Sequence, residues 1–596
     1  MTGRASGPSF HFEVLADTIR RRCLNGDGLA ALEEVEALLE QVPDSVDLHV
    51  IHAGVLKHLG HFGSAAGAFA EAARRAPDDA ATWFGLGICL EAAGHKAGAT
   101  QAFARAMVAE PKHPDAFFKT MEALRKGRFF ARLLERLDKA VSPVRDRPEW
   151  FRLRAATAFE LGDFRYGRQP PPRFRRMPEQ DRTTCLLNLR AITYDPKLSG
   201  ADLLKAAQAF DRTFGPETVD ELPLTDPDPE RPLRIGMVDT RMRQHNIGLQ
   251  HLMLMRNRPP KAEMEIFLYP SNDQNDETTE EMMTLADGGT DIRDMDDATA
   301  CRAIRADHLD LLVDFNEYAN GGRMGLFARR AAPVQVHYLA NALSTGLRAM
   351  DYRISDPVAE PAASFPAASA EEPMLLENGY HFLVPRSEEP DIVYRTPARD
   401  AGYVTFGMIH HPAKYGPDVL AAWKVILERL PTARLLIGRH AFDDPETAAW
   451  FHRKLVKAGL PADRVTVRGD HGEIVDLRFW KQVDCVLDSF AFSGDASAMD
   501  SLFAGVPLVT RLGSRISSRR GAALLHHIGH PELVTETVEA YIDLAVSLGS
   551  DADRLDHYRS RLHAAVKASP LLDYAGTAAA IYAGFRESWR RACARA

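Results

Sequence analysis

Tyr403 to Trp423, YVTFGMIHHPAKYGPDVLAAW, and Asp488 to Thr510, DSFAFSGDASAMDSLFAGVPLVT, are the stretches whose reading decides the fold. In the first, the apolar run Tyr403 to Phe406 predicts a buried strand. A His/Pro/Gly-rich loop with one cation, Lys414, follows, and then a helix that buries Leu420 and Trp423. In the second, Cys485 to Leu487 predicts a strand, small residues make a loop, a helix opens near Ser497, and Pro507 to Thr510 predicts the next strand after Gly505. Strand, helix, strand is a βαβ unit with a parallel sheet. Ligands of such sheets sit beyond the carboxyl ends of the strands, and free N–H groups at a helix start attract phosphate. Lys414 is therefore a candidate anion contact. Spacing alone does not separate this chain from other α/β proteins with small loops before helices.

The chain around these stretches is long, 596 residues, which predicts three or four domains. Its hydrophobic fraction of 45% and charged fraction of 26% are those of ordinary globular proteins. A net charge of −9 argues against wholesale binding to nucleic acid or to anionic membranes. Six Cys without CxxC spacing support neither a zinc site nor a disulfide framework, and a reducing compartment is expected. No run of 18 apolar residues occurs, and MTGRASGPSF is not a signal peptide, so the expectation is a cytoplasmic protein with no membrane span.

Towards the N-terminus a 34-residue period appears: Gly26, Gly60 and Gly94; Ala31, Ala65 and Ala99; Phe69 and Phe103; Pro43, Pro77 and Pro111. The copy from Ala80 to His113 carries Trp83, Leu86, Gly87, Leu90, Gly94, Ala99, Phe103, Ala106 and Pro111, the tetratricopeptide pattern. Small residues let paired helices approach, aromatics fill the groove between repeats, and Pro111 ends a helix. Weaker copies follow at 114–147 and 148–165. Residues 1–165 thus form a helical solenoid whose expected partner is a protein held on its surface. Between Arg165 and Arg176, five Arg and three adjacent Pro predict a solvated linker that breaks the solenoid, and two amphipathic helices around Tyr194, Asp195 and Pro196 fill the remainder of 166–230. LRIGMV, Leu233 to Val238, then opens a first Rossmann-like half over 231–385, with strands expected at Glu265 to Tyr269, Leu309 to Phe315, Val334 to Leu339 and Tyr352 to Ser355. A linker, 386–401, leads to a second half, 402–596, with terminal helices.

Both decisive stretches, with RLGSRISSR after them, resemble the catalytic half of the O-linked N-acetylglucosamine transferase and SPINDLY-like glycosyltransferases. The spacing from Lys414 to Trp423, the loop ending in Met499 and Asp500, the later AGVPLVT, and Ser518 and Arg519 on the family's Ala-Ser-Arg carry the likeness. DFNEYANGGRMGLFARRAAPVQVHYLANALSTGLRAMDYRISD matches the family's Asn/Tyr/Gly turn and its APVQ strand entry. The resemblance implies a GT-B fold of two Rossmann-like halves and inverting, metal-independent transfer from a nucleotide sugar, with no cofactor. It also implies roles. His245 takes the place of the family's cleft His, as base or donor contact, and Asp495 is a second candidate for proton removal. Lys414, Gly494, Ser497, Asp500, Ser518 and Arg519 are expected to bind donor, and Ser344, Thr345 and Gly346 to line the sugar or acceptor side.

Two departures bear on the donor. LANALSTG stands where the family has Leu-Gly-Tyr-Pro-Gly-Thr-Ser-Gly, and Gly494, Asp495, Ala496, Ser497 stand for its Gly-His-Thr-Thr phosphate loop. A family His near Asp476 is also missing. An uncompensated carboxylate about 4 Å from a phosphate costs on the order of 4 kcal/mol at an effective dielectric of about 20. The expectation is therefore a donor other than UDP-N-acetylglucosamine. Similar bacterial proteins modify flagellin with CMP-carried nonulosonic acids, and the resemblance extends that donor and client to this chain. A catalytically inactive adaptor on the same fold is the second expectation, favoured by the lost motif positions and opposed by the retained polar constellation.

Overall fold

The computed structural model describes residues 9–163, 182–272, 274–318, 321–338, 343–361, 363, 368–384, 394–469 and 477–596. The basic stretch 165–176, the segment around Asp476, Leu339 to Ala342 and positions 386–393 of the expected linker lie outside the described residues. The chain divides into two compact units, Met1–Thr157 and Ala158–Ala596.

In the first unit, helix pairs follow the sequence period: Val46–His58 with Phe62–Arg75, Ala80–Ala92 with Lys96–Ala109, and Pro114–Lys126 with Phe130–Lys139. The need for small residues is steric. A Cβ on Gly85 would stand 2.6 Å from the Phe69 ring, and one on Gly87 2.4 Å from Phe103. One left-handed residue makes the turn in the first two of these pairs, Gly60 and Gly94 at φ +81° and +82°, as Gly26 at +93° does between the preceding helices Ser9–Leu24 and Gly28–Gln41. The same phase reaches position 128, where Arg128 holds φ +60°.

The second unit holds two parallel sheets. β1 (Leu233–Asp239), β2 (Met264–Pro270), β3 (Gly288–Gly289), β4 (Leu311–Asp314), β5 (Val334–His337), β6 (Tyr352–Ser355) and β7 (Glu372–Leu375) align in the order β3-β2-β1-β4-β5-β6-β7. β8 (Thr405–Met408), β9 (Arg434–Gly438), β10 (Val465–Arg468), β11 (Cys485–Leu487), β12 (Leu508–Arg511) and β13 (Val534–Thr535) align as β10-β9-β8-β11-β12-β13. The inner strands are buried on both faces, β4 and β11 along their whole length, which is why their stretches read as nearly continuous apolar runs, while the edge strand β10 leaves Thr466 exposed. In both sheets the winding reverses beside the first strand, between β1 and β4 and between β8 and β11, and a crevice opens at the carboxyl ends there. Gly407 is required in β8: a Cβ would lie 2.2 Å from the Val483 side chain.

The helices Arg182–Ile192 and Gly200–Phe214 form as expected around Tyr194 to Pro196, the second opened by a Ser199/Asp202 capping box. Some bounds differ: the strand expected at Tyr403 to Phe406 begins at Thr405, and the one expected to reach Leu339 ends at His337. β3, β7 and β13 were not foreseen, being two to four residues long without an apolar run. The terminal helix Tyr574–Arg595 corrects the assignment of 402–596 to a single half. Ala578, Ile581, Tyr582, Phe585 and Trp589 are buried in the core of the first half, with Leu233, Ile235 and Val336. No helix among the described residues is long and apolar enough to cross a membrane.

Two expected outcomes follow from this packing. Trp589 is fully buried, and its Nε1 donates to Asp228 O at 2.9 Å. Trp589→Ala should cost about 3–5 kcal/mol and, although it lies near the C-terminus, should raise hydrogen exchange in β1 and β2 rather than in β8 and β9. At the strained turn, Arg128→Gly should stabilise the repeats by about 0.5–1 kcal/mol, because a left-handed backbone costs most side chains more than it costs glycine. A lower first transition on thermal unfolding would contradict this.

Candidate functional site

The reversal of the second sheet is built on one buried carboxylate. Asp488, immediately after β11, accepts from Ser489 N at 2.8 Å and Gly494 N at 2.7 Å through Oδ1, and from Thr510 Oγ1 at 2.6 Å through Oδ2. This curls residues 489–494 into a loop against the loop after β8. There Lys414 Nζ donates to Ser493 O at 2.7 Å and lies 4.4 Å from the centre of the Phe492 ring, which stacks on Tyr194 at 5.0 Å. Burial lowers the Lys414 pKa to about 8, against the pull of Asp488 and Asp495. Burial also holds His410 well below its ordinary value, and the Lys414 charge adds to that, so His410 is neutral. Gly494 is needed because a Cβ would meet His410 Nε2 at 2.9 Å.

Asp495 precedes the helix Ala496–Phe503 but makes no capping hydrogen bond with its side chain. Its Oδ2 lies 2.5 Å from Arg520 Nη1, and its Oδ1 lies 3.7 Å from His381 Nδ1. Burial works against its charge, yet Arg520, then His381 and Lys414, outweigh that and keep its pKa low. This corrects the expectation of an uncompensated carboxylate repelling phosphate: Arg520 cancels it. The same pairing makes Asp495 a poor proton acceptor. Ser497 sits partly exposed on the first turn of that helix, and Asp500 is buried one turn on.

Other expected residues are engaged elsewhere. Ser518 Oγ accepts from Arg515 N at 3.1 Å and donates to Arg515 O at 2.8 Å. Arg519 donates to Val358 O at 2.9 Å and Gly513 O at 3.0 Å, tying the second half to the first. Ser344 Oγ donates to Glu371 Oε2 at 2.7 Å, Thr345 N donates to Glu371 Oε1 at 2.7 Å, and Thr345 Oγ1 bonds the same carboxylate. Gly346 (φ +64°) packs on Ala207 and Gln208. This turn is a buried brace. His245 begins the helix Asn246–Arg256, its Nδ1 accepting from Ile247 N at 3.2 Å.

Several residues at the crevice escaped sequence reasoning. Asp239, at the end of β1, pairs with buried His251 at 3.1 Å and accepts from Asn316 Nδ2 at 2.9 Å, while Asn316 Oδ1 accepts from Thr240 N at 2.7 Å. His337 lies between Asp314 at 3.2 Å and Glu317 at 2.9 Å, and those carboxylates hold it protonated although burial opposes the charge. Glu160 meets His411 at 3.1 Å, and burial nonetheless lowers the His411 pKa to about 4. These contacts join residues well apart in sequence, so no local motif marks them. Chemically, the crevice combines a desolvated ammonium, helix N–H groups and neutral imidazoles, which suits a phosphate leaving group.

The sequence profile of Glycosyl transferase family 41 matches residues 222–380 and 393–581. A probable UDP-N-acetylglucosamine–peptide N-acetylglucosaminyltransferase SPINDLY from Petunia hybrida is 31% identical over 376 residues, 61% of this chain and 40% of the relative. The UDP-N-acetylglucosamine–peptide N-acetylglucosaminyltransferase of Caenorhabditis elegans is 23% identical over 457 residues, 57% of this chain and 39% of the relative. The matched region spans about 40% of the length of these curated relatives. Among solved structures, a Lys-to-Met mutant of the Thermobaculum terrenum O-GlcNAc transferase superposes with TM-score 0.64 at 25% identity, covering all of both chains. With two parallel sheets, a polar crevice at their reversal points and a family match over more than half its length, this chain belongs to glycosyl transferase family 41.

Proposed function

We propose that the protein is an O-glycosyltransferase that moves a sugar from a nucleotide donor to Ser or Thr of a protein client gripped by the repeats. The observation that carries this is Lys414, half-buried at the carboxyl end of β8, beside the opening of the helix Ala496–Phe503. Its charge and the helix N–H groups would take up the negative charge that grows on the departing phosphate. Arg520 is added to the donor side through Asp495, which orients it. Transfer is proposed to need no metal, so activity in EDTA should equal that in magnesium.

The finer reading is a CMP-activated nonulosonic acid as donor and flagellin as client. It is supported by the rebuilt Gly494–Ser497 loop and by LANALSTG, and not by charge repulsion, since Arg520 offsets Asp495. Titration of the protein with UDP, UDP-N-acetylglucosamine, CMP and a CMP-linked acidic sugar tests the donor. Micromolar binding of UDP-N-acetylglucosamine with silent CMP refutes the finer reading and leaves the transferase. Intact-mass analysis of candidate clients after incubation with each donor tests the transferase itself, and clients unmodified by every donor would favour the adaptor.

Lys414→Ala should lower kcat about 100- to 1,000-fold with an unchanged far-ultraviolet spectrum, the loss typical of one electrostatic donor at a developing anion. With a free-enzyme pKa of about 8, the wild-type kcat/KM should fall as pH rises through 8 and the ammonium is lost. In Lys414→Arg that alkaline limb should vanish, because a guanidinium stays charged. A limb at the same pH in both proteins would assign the titration to another group.

A further inference from the structure

Beside the Lys414 loop lies a group of arginines for which the proposed transfer has so far no use. Arg190 closes the helix Arg182–Ile192, Arg241 follows β1, and Arg439 follows β9. Sequence separates them by up to 249 positions, and the fold gathers them around Tyr194 and His411. The floor is aromatic: Phe159 lies 5.1 Å from Tyr194 and 4.7 Å from His411, and the Arg190 guanidinium stands 4.8 Å from the centre of the Phe159 ring. Tyr194 in turn stacks on Phe492, the ring beneath Lys414.

The charges do not balance. Two carboxylates act on the three arginines, Glu160 on Arg439 and Asp239 on Arg241, and each is already engaged by a histidine, Glu160 by His411 at 3.1 Å and Asp239 by His251 at 3.1 Å. Among the described residues the Arg190 and Arg241 guanidiniums form no hydrogen bond or ion pair. Arg439 Nε is buried without a partner, and its Nη1 has one long contact, 3.5 Å to Ile409 O. Burial, and then the Arg190 charge, lower the pKa of Arg241 against the pull of Asp239. Contrast the arginines nearby: Arg182 and Arg323 share Asp297 at 2.5 and 2.7 Å, and Arg293 pairs with Asp291. Together with these three, Arg190 lines a cavity of about 540 Å³ between its helix and the carboxyl ends of β2 and β4; Arg241 and Arg439 do not line it, so Arg190 alone joins the arginine group to that space.

Like charges brought together in a partly desolvated crevice destabilise a fold, and they persist where a ligand of opposite charge completes them. We infer that Arg190, Arg241 and Arg439 form an anion subsite beside the Lys414 loop that receives a second negative group of the donor, in addition to the phosphate at Lys414. The inference rests on reading the crevice as a nucleotide-sugar site, and it names the class of donor: one carrying two separated anionic groups. Arginine suits the task because its planar fork binds carboxylate and phosphate in two-point fashion.

The test uses the full chain and its R241Q/R439Q and K414A variants, titrated with inorganic pyrophosphate, CMP, CMP-N-acetylneuraminic acid and UDP. The double variant should melt at the wild-type temperature or above, since it relieves repulsion; a lower melting temperature would mark the arginines as structural and overturn the proposal. It should bind pyrophosphate at least tenfold more weakly than wild type. It should keep its affinity for CMP, which K414A should lose. Among the nucleotides, a tenfold loss for CMP-N-acetylneuraminic acid alone identifies the second anion as a sugar carboxylate, and one for UDP alone identifies it as the second phosphate; either, with the pyrophosphate loss, supports the subsite. Equal affinities of wild type and double variant for all four probes overturn it. If wild type binds no nucleotide, the transferase reading fails, and the pyrophosphate comparison alone decides the subsite. R241K/R439K, which keeps charge but not the fork, should recover part of the pyrophosphate affinity.

Discussion

A carboxylate removed from water must find its partners inside the protein, and Asp488 finds them in the backbone of the loop it begins. By accepting from Ser489 N, Gly494 N and Thr510 Oγ1, it curls the chain between β11 and the helix Ala496–Phe503 so that Ser493 O points at Lys414. Lose that carboxylate, and the buried N–H groups lose their partners as well, at about 1–3 kcal/mol each. The position of Lys414, the neutral state of His410 and the place of Phe492 under the ammonium all depend on this curl. Gly521 leaves room for it, since a Cβ there would come within 2.4 Å of Asp488 Oδ2.

How far the fold was legible follows from which forces are local. The repeats were readable because the same steric demand recurs every 34 residues, and Gly26, Gly60 and Gly94 mark its phase. β1, β8 and β11 were readable because strands covered on both faces are apolar throughout. β3 and β13 are two residues each, held by neighbours already in place, and leave no pattern. The return of the helix Tyr574–Arg595 to the first half is a tertiary choice that its own amphipathicity does not specify.

The site was legible in one half only. Lys414 stands out in the sequence as a lone cation in a loop after an apolar run, and Gly494 and Ser497 as small residues before a helix. The pairing of Asp495 with Arg520 could not be read, because 25 residues separate them. Asp495 taken alone predicts repulsion of phosphate; Asp495 with Arg520 predicts none. The tie of the Ser344 and Thr345 hydroxyls to Glu371, 27 and 26 positions on, is equally absent from any local pattern.

The chain passes between the two halves a second time, where the helix Tyr574–Arg595 goes back to the first. The two passages are laced together: Leu383 N donates to Leu571 O at 2.9 Å, and Tyr574 OH donates to Leu383 O at 3.0 Å. A pair of strands of chain fastened side by side behaves like the spine of a book. Shear or twist of one half against the other would have to break those bonds, while opening about the spine need not. Opening about the spine would also have to part Arg519 from Val358 O, the 2.9 Å bond that ties the second half to the first, so the two fastenings together set what relative movement of the halves costs.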